Sequence, residues 1–457
     1  MIQPHSTWVM MASHLAKGSF EPCNDPNRTL LPTTTYYDQT PPGELIDSED
    51  EVLPNYGPIE CQEKPLVAVI GVGYVGEHLV SIFSREYTVI GYDISQARIC
   101  QLQHTFSTAK GVSVSFTSNG RDVATATHFL ISVPTLLLPD KSIDSSALRE
   151  ALGLVSKYAR TGSVVVIESS VAVGMTRALL GPVAQAKEFA AGMSPERVDP
   201  GRIEPAAHTI PKIISGLNDI VPGSVEAIQQ LYSRVFDTVV PVSRPEVAEM
   251  MKLYENCQRM LCIAYANEMA DACLSHDIDP FEVCRAAATK PFGYMPFTPG
   301  LGVGGHCIPV NPYYLLANNE FPLLQDAAEK MQARPREIAQ RIITRLVGSC
   351  GNNAQPRVLV VGIGFKPGQS HLANSPGLEL AKQLVVSGKV DVAWADPLVK
   401  QEAVPQVKRL DVQDWNAQYL DQNFNLIVVA FRQHGLDFGE LQALKHATVQ
   451  SWCGRLC

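Results

Sequence analysis

The chain has 457 residues, 46% of them hydrophobic and 18% charged, with a formal net charge of −9. That length and composition leave room for roughly two to four cored globular domains. The acidic balance, without any Lys/Arg block, excludes a general nucleic-acid surface, and no apolar run reaches about 18 residues, so no membrane span is expected.

Eleven cysteines form no CxxC pair and no His/Cys group with zinc spacing. No metal site is expected. An odd number scattered through periodic segments reads as reduced thiols of a cytoplasmic protein. The N-terminus also lacks the charged region, apolar core and small-residue cleavage site of a secreted chain.

Residues 1–63 are rich in Pro, Thr, Ser, Asn and Asp and hold no persistent period, so a mobile extension is expected. Order begins at Leu66-Val67-Ala68-Val69-Ile70, a buried-strand run. Gly71-Val72-Gly73-Tyr74-Val75-Gly76 follows at once, then an apolar helical pattern through Phe83 and a second strand, Thr88-Val89-Ile90-Gly91-Tyr92, ending in Asp93. Strand, glycines, helix, strand and terminal acid, with Asp93 22 residues beyond Gly71, form a dinucleotide fingerprint. Gly71 makes the turn, Gly73 lets the backbone reach a pyrophosphate, and Gly76 lets the helix pack on the sheet. Asp93 can accept hydrogen bonds from the adenosine ribose and repels a 2′-phosphate, which favours NAD over NADP. The alternative is a glycine turn in a non-binding α/β unit.

Two more buried strands end in Pro134-Thr135 and in Glu168-Ser169-Ser170. Carboxyl ends of parallel strands are where open α/β sheets bind ligands, so Thr135 and Glu168 stand where a nicotinamide ring and a substrate would meet. Each also fits an ordinary cap or turn residue. Ser194-Pro195-Glu196-Arg197-Val198-Asp199-Pro200-Gly201 reads as a polar, substrate-facing lid. From Pro245 to about Ser275 the pattern becomes one long helix, with Val247, Met250, Met251, Tyr254, Cys257, Leu261, Ala264 and Tyr265 as an apolar stripe. Lys252 and Asn256 share another face, with Arg259 below them. That face reads either as a solvated charged stripe or as a Lys/Asn pair aimed at a developing oxyanion. The helix is long and apolar enough for an interdomain spine or a dimer interface.

The segment Pro299-Gly300-Leu301-Gly302-Val303-Gly304-Gly305-His306-Cys307-Ile308-Pro309 lets backbone press close to a ligand, since no Cβ stands in the way. It presents Cys307 either as a nucleophile at a pocket rim or as an inert thiol at a tight turn. A helix from Ile338 through Val347 and a second α/β unit follow, built on Arg357-Val358-Leu359-Val360-Val361 and Gly362-Ile363-Gly364-Phe365-Lys366-Pro367. This turn lacks a third glycine. It can hold a nucleotide, with Phe365 near a base or sugar and Lys366 near a phosphate; Lys366 also fits a solvated surface lysine.

From about residue 65 onward the chain resembles the UDP-glucose/GDP-mannose dehydrogenase family of NAD-dependent nucleotide-sugar 6-dehydrogenases. The matching segments are GVGYVG at Gly71, ESSVAVGMT at Glu168, SPERVDPG at Ser194, MKLYEN around Lys252, TKPFGYMPFTPGLGVGGHCIPVNPYYL at Thr289 and GIGFKPG at Gly362. SPERVDPG and GGHCIP are closer to the branch acting on UDP-N-acetyl amino sugars. The resemblance implies an α/β fold of two Rossmann-like doubly wound domains joined by a central helical domain with one long helix. Its expected parts are a mobile extension (1–63), an NAD-binding domain (64–243), the helical domain with the cysteine loop (244–340) and a nucleotide-sugar domain (341–457).

It further implies a four-electron oxidation of a sugar C6 hydroxyl to a uronic acid, with Cys307 carrying a thiohemiacetal and then a thioester. Lys252 and Asn256 would steady the oxyanion, Glu168 would act as base toward water, and Thr135 would help order that water. Gly71, Gly73, Tyr74, Val75, Gly76, Asp93, Arg98, Ser132, Pro134 and Thr135 would bind NAD. The nucleotide sugar would meet Glu196, Arg197, Lys252, Phe297, Gly302, Gly304, Phe365 and Lys366. A homodimer or larger homo-oligomer through the long helix is expected. Two departures stand out: the family's aspartate four residues after the cysteine is Asn311, and an arginine of its third domain is Ala373. Both put efficient turnover in question, and a non-catalytic nucleotide-sugar or NAD-binding homologue is the rival reading.

Overall fold

The computed structural model describes residues 57, 59, 63–107, 113–199, 201, 202, 204–349 and 355–454, so nearly all of the expected N-terminal extension lies outside the described residues. The strands are β1 (Leu66–Ile70), β2 (Thr88–Tyr92), β3 (Val114–Thr117), β4 (His128–Ile131), β5 (Leu136–Leu137), β6 (Ile143–Asp144), β7 (Val164–Ile167), β8 (Ala190–Met193), β9 (Lys212–Gly216), β10 (Val239–Pro241), β11 (Arg357–Val361), β12 (Asp391–Ala395), β13 (Lys408–Arg409), β14 (Leu426–Val429) and β15 (Thr448–Ser451). The helices are α1 (Tyr74–Phe83), α2 (Gln96–Phe106), α3 (Ser146–Tyr158), α4 (Met175–Lys187), α5 (Ser224–Tyr232), α6 (Pro245–Leu274), α7 (Pro280–Ala287), α8 (Asn311–Leu316), α9 (Pro322–Ser349), α10 (Pro376–Val386) and α11 (Ala417–Asn423).

Eight strands form the first sheet in the order β10-β9-β8-β7-β4-β1-β2-β3, parallel throughout except between β8 and β9. The chain winds outward from β1 to β3 and then returns to β4 on the other side, so a crevice opens between the ends of β1 and β4. Both faces are covered. Helices α1, α2 and α5 pack on one, and α3, α4, α6 and α8 on the other, which explains why β1 and β7 read as unbroken apolar runs. The second sheet, β13-β12-β11-β14-β15, is wholly parallel and repeats the winding around β11.

The two units share one turn device. A Cβ on Gly76 would stand 2.0 Å from the Gly71 carbonyl oxygen, and one on Gly377 would stand 2.3 Å from that of Gly362. Ser132 Oγ donates to the Gly71 carbonyl at 2.8 Å, as Ser375 Oγ does to Gly364 at 2.9 Å. Asp93 accepts from the Val72 N–H at 3.0 Å, while Asp396 accepts from Ile363 and Gly364 at 3.1 Å. The third glycine absent from the second fingerprint is therefore supplied 13 residues after Gly364, by Gly377 in α10.

Helix α6 turns its polar row inward. Glu249, Lys252 and Asn256 are buried, whereas Val247, Met250, Tyr254 and Tyr265 of the apolar stripe are exposed. Burying charge is costly unless every group is paired, and here each one is. Helix α9 begins well before the expected Ile338 and runs through residue 340. Its first half packs Leu324, Ala327 and Met331 into the core beneath α6 and α8, and its second half packs Ile338, Ile342 and Ile343 against the second sheet. We predict that Gly76→Ala and Gly377→Ala each cost about 1–3 kcal/mol, read as a lowered Tm, because backbone must shift to admit the methyl group. Only Gly76→Ala should also weaken NAD binding in a titration.

Candidate active site

The first glycine turn suits a dinucleotide. Gly71 holds φ at +85° with its N–H donating to the Tyr92 carbonyl at 2.8 Å. A Cβ on Gly73 would project into open space with nothing within 4 Å, so a diphosphate can lie against the backbone there, at the N-terminus of α1. Tyr74 and Pro134 are exposed at the crevice, and Val75 and Thr135 are half-buried. Three of the expected ligand contacts serve the turn itself. Ser132 bonds the Gly71 carbonyl. Arg98 braces the loop through the Val72 carbonyl at 2.8 Å and Glu77 at 2.5 Å. Asp93 accepts from Val72 and, at 2.9 Å, from Ser95, keeping further lone pairs for a ribose.

The glycine loop delivers Cys307, exposed, to the start of α8, whose Asn311 N–H bonds the Cys307 carbonyl at 2.9 Å. Lys252 lies close enough to Cys307 to feel its charge. Burial pushes the Lys252 ammonium below the usual lysine range, against the opposing pull of Cys307 and Glu196. Its Nζ donates to the Glu196 backbone carbonyl. One turn along, buried Asn256 donates through Nδ2 to Asn311 Oδ1 and accepts from Arg259. The structure thus brings Cys307, Lys252, Asn256 and Asn311 together. Thr135 donates to the Ser170 carbonyl at 2.7 Å, holding the ends of β4 and β7 side by side.

Glu168 does not join them in the cleft. Its side chain has 0% exposure and is engaged by Lys212 Nζ at 2.6 Å and by the Tyr232 hydroxyl, so the base expected here is closed off from water. Burial, aided by Glu196, raises its pKa to about 7, with Lys212 opposing. Lys212 itself lies fully enclosed between Glu168 and Glu196, the latter at 3.7 Å, and over the Tyr232 and Phe236 rings. Partial burial of Glu196 works against its charge, but Lys212 and His78 hold it below the ordinary carboxylate value. Nothing in the bare sequence marked Lys212 or Tyr232; a lysine at the start of an apolar strand was the available signal.

The expected substrate contacts are largely taken up by the protein. Arg197 reaches the Pro211 carbonyl at 2.8 Å and Glu255 at 2.6 Å. Lys366 pairs with Asp199 at 2.8 Å, joining the second unit to the lid loop. A Cβ on Gly304 would lie 3.1 Å from Phe365, and one on Gly305 would meet its ring at 3.1 Å. These glycines therefore admit Phe365 rather than a ligand. Gly305 N–H donates to the Ala373 carbonyl and Asn374 Nδ2 to the Gly305 carbonyl, both at 2.9 Å. Gly302, with φ +157°, lies over α9, and Phe297 is half-buried beside Cys284. Among the described residues no His/Cys/Asp/Glu group could hold a metal ion.

The Glu168 cluster carries a pH prediction. Its folded-state pKa lies above the ordinary 4.5, so the group favours the folded chain below that pH, and its contribution is lost as pH rises toward about 7. Thermal melts from pH 4.5 to 8 should therefore show the wild type losing stability relative to Glu168→Gln up to about pH 7, and a constant difference above it. A difference flat across that range would place the ionisation elsewhere.

Two family models match the chain: the UDP-glucose/GDP-mannose dehydrogenase NAD-binding domain over residues 65–236 and the central domain over residues 246–334. A UDP-N-acetyl-D-glucosamine 6-dehydrogenase of Pseudomonas aeruginosa is 32% identical over 358 residues, covering 74% of this chain and 83% of the relative. A UDP-N-acetyl-D-mannosamine dehydrogenase of Pyrococcus horikoshii is 29% identical, covering 73% and 84%. The solved structure of a UDP-D-ManNAc dehydrogenase from Pyrococcus horikoshii superposes with a TM-score of 0.74 at 25% identity, over 86% of this chain and 96% of that one. Sequence match, winding order and the NAD-compatible turn agree: the chain belongs to the UDP-glucose/GDP-mannose dehydrogenase family and is an NAD-dependent nucleotide-sugar dehydrogenase.

Proposed function

We propose that this dehydrogenase oxidises the C6 hydroxyl of a UDP-hexose or UDP-N-acetylhexosamine to the uronic acid in two NAD-dependent steps, with Cys307 as the covalent nucleophile. The observation that carries the reading is the convergence of an exposed Cys307 with buried Lys252 and the Asn256–Asn311 amide pair. Bound NAD supplies the hydride acceptor. Lys252 and Asn256 stabilise the oxygen anion as the alcohol becomes an aldehyde and again as the Cys307 thiolate adds to it. A second oxidation leaves a thioester at Cys307, which water cleaves. With Glu168 engaged by Lys212 and Tyr232, water is ordered by Thr135 and Asn311, and Glu168 serves to hold the lid loop. The amino-sugar relatives favour a UDP-N-acetylhexosamine. The same reading divides the chain into an NAD-binding unit, a helical middle and a nucleotide-sugar unit, with Phe365 and Lys366 at the nucleotide end.

A panel of UDP- and GDP-sugars monitored for NADH tests this directly. Two NADH per sugar are expected, and Cys307→Ala should release no uronic acid; one NADH per sugar, or none, overturns it. Asn311→Asp keeps the acceptor for Asn256 and adds a charge beside Lys252, so thioester hydrolysis should quicken severalfold in single-turnover experiments. An unchanged rate would show that the amide suits this site. The exposed Tyr254, Tyr265 and Met269 of α6 support self-association through that helix. Light scattering should find Tyr254→Glu with Tyr265→Glu at monomer mass, against a larger wild type.

A further inference from the structure

Behind the lid loop lies a cavity of about 420 Å³ that shares Tyr74 with the expected cofactor contacts and otherwise lies outside the proposed chemistry. One wall is a face of α1 carrying Tyr74, His78, Ser81 and Ile82, spaced one, three or four apart along the helix, with Arg85 just past its end. The opposite wall comes from described residues of the lid and the loop after it, among them Val198, Asp199, Arg202, Pro205, His208 and Ile210. The two walls combine distinct chemistries. Arg85 and Arg202 offer cations, His78 and His208 offer ring N–H donors, and Pro205 and Ile210 offer an apolar surface beside the edge of buried Ile82. Asp199, the carboxylate among the described lining residues, is neutralised by Lys366 at 2.8 Å. Neither arginine forms an ion pair among the described residues. In a chain of net charge −9, a local excess of this kind selects anions.

We propose that this cavity binds a nucleotide, whose phosphates meet Arg85, Arg202, His78 and His208 and whose ring lies on Pro205 and Ile210. The volume falls within the range of small-molecule sites, roughly 300–1,000 Å³. The occupant acts on catalysis through the loop it touches. Val198 and Arg197 donate their backbone N–H groups to the Glu196 carboxylate at 2.8 and 2.6 Å, and the Glu196 carbonyl receives Lys252. A ligand that fixes Val198 and Asp199 therefore fixes the anchor of Lys252. His78 lies near enough to Glu196 and Lys212 to feel their charges, so the inner wall adjoins the same buried cluster.

The test is calorimetric titration of the full chain, saturated with NADH so that the cofactor site is filled, using UDP, ADP and inorganic pyrophosphate. Arg85 and Arg202 are exposed, so Arg85→Glu and Arg202→Glu should fold normally, which their melting curves check. At least one binding event should weaken tenfold or more in each variant, while NADH affinity and turnover without added UDP, ADP or pyrophosphate stay unchanged. Hydrogen exchange of residues 198–208 should slow when the nucleotide is added. If both variants bind as the wild type does, or if saturating UDP-N-acetylglucosamine displaces every bound nucleotide, the cavity is not the site. Pyrophosphate binding as tightly as UDP and ADP would overturn the ring surface and with it the nucleotide assignment. These readouts measure binding and loop order, so they stand apart from whether the C6 chemistry proceeds through Cys307.

Discussion

The polar face of α6, buried and fully paired, is the constraint on which the rest of the structure depends. Glu249 receives the N–H groups of Gly174 and Thr176 at 2.6 and 2.8 Å, placing a carboxylate at the N-terminus of α4. Lys252 holds the Glu196 carbonyl, Asn256 holds Asn311, and Asn267 accepts from Gly300 N–H at 2.8 Å. Asp271 completes the row with two bonds to buried Arg334 of α9, at 2.7 and 3.0 Å. One helix thus fixes the start of α4, the lid loop, both ends of the glycine loop and the spine leading to the second sheet. An apolar face could bury comparable area, but directional bonds to five separate segments set their positions relative to one another, as a catalytic cleft built from several loops demands.

The glycine loop has a different job from the one its composition suggests. Its open backbone is spent on protein–protein contact, Gly304 and Gly305 against Phe365 and the Ala373 carbonyl. Close approach to the second unit positions Cys307 at the seam between the first sheet and the second. The Lys366–Asp199 pair ties the same seam from the other side of the lid. The two Rossmann-like turns, alike in their glycine packing, differ in the acid. Asp396 is buried, accepting also from Leu398 N–H and Gln433, and has no face left for a ribose. Asp93 is only half-buried and does.

Much of this was legible in the order of residues. The strands β1, β2 and β11 fall where unbroken apolar runs place them, and α6 spans Pro245–Leu274 as its period requires. The family resemblance picks out Cys307, Lys252, Asn256 and Asn311, which the fold brings together. Short or weakly apolar strands were not legible. β8 and β9 form only between neighbours, β3 and β13 only as edges laid against one, and β15 closes the second sheet beyond the last strand the pattern suggested.

What the sequence determined by itself is the inventory: an NAD fingerprint, a cysteine at the end of a glycine loop, a Lys/Asn pair one turn apart on a long helix. Local spacing suffices for these because turn geometry and helical period act over a few residues. Which face of α6 is buried was decided only in three dimensions: Cys257 and Ala264 of the apolar stripe go in while Val247, Met250, Tyr254 and Tyr265 stay out, and the partners that make burial of Glu249, Lys252 and Asn256 tolerable come from three distant segments. Tertiary structure likewise withdrew Glu168 from the cleft by supplying Lys212 and Tyr232, 44 and 64 residues away. It also supplied Gly377 as the missing third glycine. In each case the deciding contact joins residues far apart in the chain, where no local periodicity reaches.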